Sequence, residues 1–212
     1  MLLTANQFLG FLAAALLITI SPGPDNLMVL SIGISRGRQQ GMAFGLGCAL
    51  GCLSHTLLAA LGISALIAAS PTAFTALKMA GGLYLIYLGV GALRSRGIEG
   101  QSKFAAYAMP EESLFKLFTK GLIANSINPK VVLFFLSFLP QFVVQQNGHI
   151  AWQTAQLGLL FTTQGVILFS SLGYFSGVVG NWLNRRPKAG LWLDRLAGSI
   201  FIALGLRLVF TH

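Results

Sequence analysis

Apolar residues run along this chain in long unbroken stretches, near residues 5–34, 41–69, 72–93, 114–144, 152–183 and 191–210, separated by short polar connections. Each stretch is long enough to cross a hydrocarbon core as a helix. The stretches are rich in Gly, Ala and Leu and lack the period-two alternation of strands, so helices are expected over a barrel. The pattern predicts an all-α membrane protein with six transmembrane helices. No Lys or Arg precedes the first stretch, and Ala13-Ala14-Ala15 lies inside it. It is therefore expected to stay as a membrane span and not to be removed as a signal peptide.

Polar residues and prolines interrupt two of the stretches near their middles. One interruption is Ser21-Pro22-Gly23-Pro24-Asp25-Asn26 and the other Asn125-Ser126-Ile127-Asn128-Pro129-Lys130. A shift of about 105 positions lays Ser21 on Ser126, Pro24 on Pro129 and Asp25 on Lys130. The correspondence continues beyond the breaks. Gly47, Leu61 and Gly62 match Gly158, Leu172 and Gly173, while Gly82, Ile86, Leu88 and Gly89 match Gly198, Ile202, Leu204 and Gly205. The offset grows only between stretches, as expected of a duplication whose loops gained residues. Three crossings per copy is an odd number, so the second copy enters from the opposite face as an inverted repeat. One transmembrane domain is expected: repeat 1 over about 1–93, a cytoplasmic linker over about 94–113 and repeat 2 over about 114–212, with helices 1 and 4 broken. Ser113 reads as a cap opening an interfacial lead-in to the fourth stretch.

Composition supports the membrane class. The 212 residues are 55% hydrophobic and 9% charged, with mean hydropathy +0.74. The net charge of +9 does not point to nucleic acid, because the cations sit between apolar stretches and do not form one soluble face. They report orientation instead. Connections after the first, third and fifth stretches carry Arg36, Arg38, Arg94, Arg96, Lys103, Lys116, Lys120, Arg185, Arg186, Lys188 and Arg195, against Lys78 and Arg207 on the other side. The positive-inside rule then places both termini outside the cytoplasm. Tyr84, Tyr87, Trp152, Trp182 and Trp192 fall near the expected boundaries as interfacial anchors.

Asp25 is the one acid well inside an expected span, and an ionised carboxylate there costs about 2.5 to 3.5 kcal/mol. Lys130 is the matching cation, either as a structural ion pair fastening the repeats or as half of a site for solute or protons. The amides and carbonyls freed at Pro22, Pro24 and Pro129, with the restarted helix end behind Gly23, suit the carboxylate and ammonium of an amino acid. Ser21, Asn26, Asn125, Ser126 and Asn128 add neutral donors and acceptors, and serve equally to satisfy the breaks themselves. If Asp25 takes a proton as Lys130 moves away, transport couples to the proton gradient. The glycines Gly41, Gly45, Gly47, Gly51, Gly173 and Gly177 read as close helix contacts. Cys48, Cys52 and His55 share one helix face and could hold a divalent metal ion, though no fourth ligand is evident. Both cysteines lie on one helix, which argues against a disulfide across the fold and, with none in the second half, against a redox carrier. Phe134, Phe135 and Phe138, beside the second break, read as core or lipid-facing packing ahead of an apolar subsite.

With Ser21-Pro22-Gly23-Pro24-Asp25, Asn128-Pro129-Lys130, the glycine run between them and this length, the chain resembles the LysE/RhtB family of bacterial amino-acid exporters over nearly its whole extent. The resemblance implies a multi-pass exporter of the inner membrane that moves amino acids on an ion gradient. No phosphate-binding loop for ATP occurs in the chain, and no cofactor is expected. No second acid accompanies Asp25 inside the spans, so neutral substrates such as threonine, homoserine or leucine are favoured over basic ones. The runner-up is a divalent metal exporter using Cys48, Cys52 and His55. Partners are then the small-molecule substrate and the lipid bilayer, with homo-oligomerisation left open.

Overall fold

The computed structural model describes residues 3–21, 23–95, 112–144 and 147–210. Pro22, His212 and linker positions 96–111, with Arg96, Glu99, Lys103 and Glu111, lie outside the described residues. The described chain is helical: α1 Ala5–Ile20, α2 Pro24–Arg36, α3 Arg38–Ala69, α4 Pro71–Leu93, α5 Leu114–Ser126, α6 Pro129–Leu133, α7 Ile150–Tyr174, α8 Ser176–Arg185 and α9 Pro187–Phe210. Most of α3, almost all of α4 and the whole of α7 are each long and apolar enough to cross a membrane. The bent pairs α1/α2, at 56°, and α5/α6 with its extension to Phe142, at 48°, raise the count to five among the described residues. The sixth expected span, α9, has the length but carries Asp194, Arg195 and Arg207 within its apolar stretch.

Both breaks have local causes. Pro24 and Pro129 each open a helix where a missing N–H costs nothing. Asn128 caps α6 by accepting from the Lys130 amide at 3.0 Å. After α6 the fourth stretch departs from a plain helix, widening into a π-helix at Phe134–Phe138 and tightening into a 3-10 turn at Leu139–Phe142. Pro140 cannot donate to the preceding turn, which prevents regular α-helix there. The fifth stretch also differs from the expected single helix. It stops at Tyr174, and after a turn at Phe175 α8 packs on α2, where Ser176 occupies the space left by the missing side chain of Gly33. Ser113 caps α5 as expected, accepting from the Lys116 amide at 3.3 Å, and α5 continues unbroken through the anticipated lead-in.

Small residues set the packing. α3 runs antiparallel to α7, with Gly41 against Gly173, Gly45 against Phe169 and Thr56 against Gly158. α4 runs antiparallel to α9, with Gly82 at the carbonyl of Gly205 and Gly89 at that of Gly198. α5 lies parallel to α3, Gly47 meeting Phe118 and Gly51 meeting Leu122. Two apolar clusters result, one around Phe11, Phe134, Phe138 and Phe161 and one around Val29, Phe44, Leu117 and Phe169. Leu57, Leu58, Leu61, Tyr87 and Ile167 point outward and exposed, as expected where lipid is the solvent.

At one end of the bundle Glu112 joins α2 to α5. It accepts from Arg36 at 2.9 Å, Lys116 at 3.0 Å and Lys120 at 2.6 Å. Hydrogen bonds from Lys120, then Arg36 and Lys116, pull its carboxyl down from 4.5 to about 2. A lowered folded-state value stabilises the fold above pH 4.5 and loses that stabilisation as pH falls toward 2. In detergent, thermal unfolding of the wild type should exceed that of Glu112→Gln by a constant margin above about pH 5, narrowing as pH drops from 4.5 to 2. A margin independent of pH would show that the ionised carboxylate is not the stabilising form.

Candidate functional site

The two breaks face each other across a cavity of about 390 Å³, its mouth included. From the first break come Thr19, Gly23, Asp25 and Asn26; from the second, Asn125, Asn128 and Lys130; Cys52, Phe134, Phe161 and Phe169 complete much of the wall. It lies between the two apolar clusters, lined by Phe134 and Phe161 of one and Phe169 of the other.

Asp25 is only 6% exposed and sits in the first turn of α2, where the positive helix end favours a carboxylate. Its Oδ2 accepts from Asn125 Nδ2 at 2.8 Å and from Asn128 Nδ2 at 2.9 Å. Lys130 turns elsewhere: its Nζ donates to the Ser21 carbonyl at 3.0 Å and lies 5.3 Å from the ring centroid of Phe201 on α9. Gly23 makes room for it, since a Cβ there would lie 3.3 Å from Nζ. A direct Asp25–Lys130 ion pair is therefore not the observed arrangement. The physical reason is local: each charge finds partners in a break, Asp25 the amides of the second and Lys130 a freed carbonyl of the first.

The neutral residues divide by role. Asn26 Nδ2 donates to the Thr19 carbonyl at 2.8 Å, closing the end of α1. Ser126 Oγ donates to the Leu122 carbonyl at 2.8 Å and takes Ser54 Oγ at 3.3 Å, so it serves the α3–α5 contact. Ser21 Oγ is buried with no partner among the described residues. Pro129 and Pro24 start their helices; Pro22 lies outside the described residues.

Asn125 is the junction of the site. Besides Asp25, its Oδ1 accepts from Cys52 Sγ at 3.3 Å and its carbonyl meets His55 Nε2 at 3.1 Å. Cys52 and His55 thus turn toward an asparagine and not toward a shared metal position with Cys48, and among the described residues no three His, Cys, Asp or Glu side chains are placed to hold a metal ion. That arrangement removes the support for the metal reading, because an amide already occupies the donor directions such an ion would need.

Nearly the whole chain, residues 16–212, matches the family model described as LysE type translocator. The chain belongs to that family. An uncharacterized membrane protein of Pseudomonas aeruginosa is 33% identical over 96% of this chain and 94% of its own length. A leucine efflux protein of an Enterobacter species is 31% identical, covering 97% and 96%, and a threonine efflux protein of Escherichia coli is 28% identical, covering 97% and 98%. No solved structure matches.

Three features in and around this LysE-type translocator's cavity were not anticipated from sequence. Phe201 reaches Lys130 from the last helix. Gln164 of α7 donates to Thr19 Oγ1 at 2.8 Å, and its Oε1 is buried without a partner among the described residues. Phe161 and Phe169 of α7 form part of the wall. One lone amide and a few aromatics in an apolar helix give no signal that separates them from ordinary core residues.

Proposed function

We propose that this protein is a secondary transporter that exports small neutral amino acids across the bacterial inner membrane. The observation that carries the proposal is the placement of Asp25 and Lys130 on one cavity wall with separate partners. Two opposite charges, Asp25 buried and Lys130 half-buried, that do not neutralise each other suit a zwitterion, its ammonium toward Asp25 and its carboxylate toward Lys130. Among the described residues the remaining wall is apolar or uncharged, with no second acid for a cationic side chain. The names of the leucine and threonine efflux proteins among its relatives agree with such cargo.

In this reading α9 is the sixth crossing and the halves form two inverted three-helix repeats. The reciprocal contacts of Gly82 with Gly205 and Gly89 with Gly198 support a twofold relation between α4 and α9. Arg36, Glu112, Lys116, Arg186 and Lys188 face the cytoplasm and both termini the periplasm. Asp25 takes the coupling proton when the substrate ammonium leaves, so export runs as antiport against protons.

Inside-out vesicles test this directly, because export from cells becomes uptake. Threonine and leucine uptake should exceed lysine uptake by about tenfold or more, given the cost of an uncompensated intramembrane charge, and should stop when a protonophore collapses the gradient. Equal uptake of lysine and threonine would overturn the neutral preference, and uptake indifferent to the protonophore would remove the proton from the cycle.

A further inference from the structure

A second concavity lies away from the cavity between the breaks, where α8 ends and α9 begins. Trp182, Arg186, Lys188, Ala189 and Trp192 line it, and it encloses about 1020 Å³ with its mouth. Its two indoles are 45% and 66% exposed. Arg185 stands exposed in the last turn of α8, and Arg195 lays its guanidinium over the Trp192 ring at 5.8 Å. Two cations, Arg186 and Lys188, therefore line the groove, and a third, Arg195, stacks on one of its indoles. The neighbouring acid, Asp194, is engaged elsewhere, its Oδ2 accepting from Ser95 Oγ at 2.6 Å.

What the groove adjoins identifies its occupant. Phe175, just before α8, and Val178 and Trp182 on it are exposed and follow at i, i+3 and i+7, forming one apolar stripe. Trp192 and Leu196 continue an exposed apolar surface one turn further along α9. An apolar stripe that ends in indoles and then in cations has the profile of a membrane interface read from acyl chain to headgroup. A small soluble anion would satisfy the cations and leave the apolar walls in water; a zwitterionic lipid would cover the walls and leave the cations uncompensated. Only a ligand with both parts matches the whole surface.

We propose that the α8–α9 groove binds an anionic phospholipid, its phosphate and headgroup between Arg186 and Lys188 and its acyl chains along Phe175, Val178 and Trp182. The start of α9 adds its positive helix end to the same spot. The site is independent of the transport cycle and stands whether or not the cargo is an amino acid.

The test uses the purified full chain in neutral detergent with added phosphatidylglycerol, phosphatidylcholine or inorganic phosphate, reading lipid retention by native mass spectrometry and thermal unfolding in parallel. Phosphatidylglycerol should be retained and raise the unfolding temperature, whereas phosphatidylcholine and inorganic phosphate should not. Arg186→Gln with Lys188→Gln should weaken phosphatidylglycerol binding by about fivefold for each charge removed and leave unfolding in phosphatidylcholine unchanged. The charge-retaining exchange Arg186→Lys with Lys188→Arg should keep most of the binding, and it decides the matter if the double glutamine variant folds poorly. Equal retention of both lipids, full stabilisation by inorganic phosphate alone, or undiminished phosphatidylglycerol binding by a well-folded double glutamine variant would each overturn the site.

Discussion

Asp25→Asn should cut amino-acid export by about tenfold to a hundredfold while leaving the protein folded, the range given by losing charge-assisted hydrogen bonds of about 1.5 to 3 kcal/mol. The substitution keeps the size of the side chain and an oxygen for the Nδ2 donors of Asn125 and Asn128, at 2.8 and 2.9 Å in the wild type. It removes the negative charge that, in the proposed function, meets a substrate ammonium or a coupling proton. Asp25→Leu should behave differently, because both amides would then face an apolar side chain in a buried site, and an unsatisfied buried donor costs about 1 to 3 kcal/mol each. Initial uptake rates in inside-out vesicles, set beside thermal unfolding in detergent, separate the two effects. Wild-type rates in Asp25→Asn would remove the carboxylate from both binding and coupling.

The same geometry changes the expected result of exchanging the charges. The sequence pattern suggests that Asp25→Lys with Lys130→Asp would restore folding, since it preserves a facing pair. In the fold, position 25 meets two asparagine amides and position 130 meets the Ser21 carbonyl and the Phe201 ring. An aspartate at 130 would aim at a carbonyl oxygen and the face of a ring, both electron-rich. The exchange should therefore abolish transport and lower the unfolding temperature together.

How far the site could be read beforehand follows from which signals are local. Proline acts on its own backbone, so the breaks before Pro24 and Pro129 are visible in a short window, as is the capping by Ser113 and Asn128. That the breaks share a cavity is also anticipated, because charges inside apolar runs must find polar company. The identity of that company is not local. Whether Asp25 reaches Lys130 or two asparagines depends on differences of a few ångströms set by how α2 meets α5, which no spacing along the chain encodes. The turn between α7 and α8 escapes notice for a similar reason. Phe175 is neither glycine nor proline, and the contact that accompanies the turn, Ser176 seated on Gly33, lies on another helix. The π-helix over Phe134–Phe138 is likewise imposed by its surroundings, including Pro140 just beyond it.

Gly47→Ala and Gly121→Ala should each destabilise the protein by about 1 to 3 kcal/mol or more, the range for forcing extra carbons into a filled contact, and should abolish export with it. A Cβ at Gly47 would overlap the Phe118 carbonyl oxygen and lie 2.8 Å from the Leu122 amide; one at Gly121 would overlap the Phe44 carbonyl oxygen and lie 3.0 Å from the Cys48 amide. Both obstacles are main chain, so no rotamer can relieve them and α3 must part from α5. One turn beyond Gly121, α5 carries Asn125, which holds Asp25, Cys52 and His55 together, so parting the helices dismantles the polar junction as well. Because both substitutions open the same interface, the double variant should lose less than the sum of the two, as for residues that share one contact. Gly62→Ala and Gly91→Ala provide the contrast: nothing lies within 4 Å of a Cβ at either position, and alanine is the better helix former. Those two should fold and export as the wild type does. Thermal unfolding and vesicle uptake across these variants and the wild type decide it, and alanine tolerated at both 47 and 121 would mean that α3 and α5 do not approach backbone to backbone.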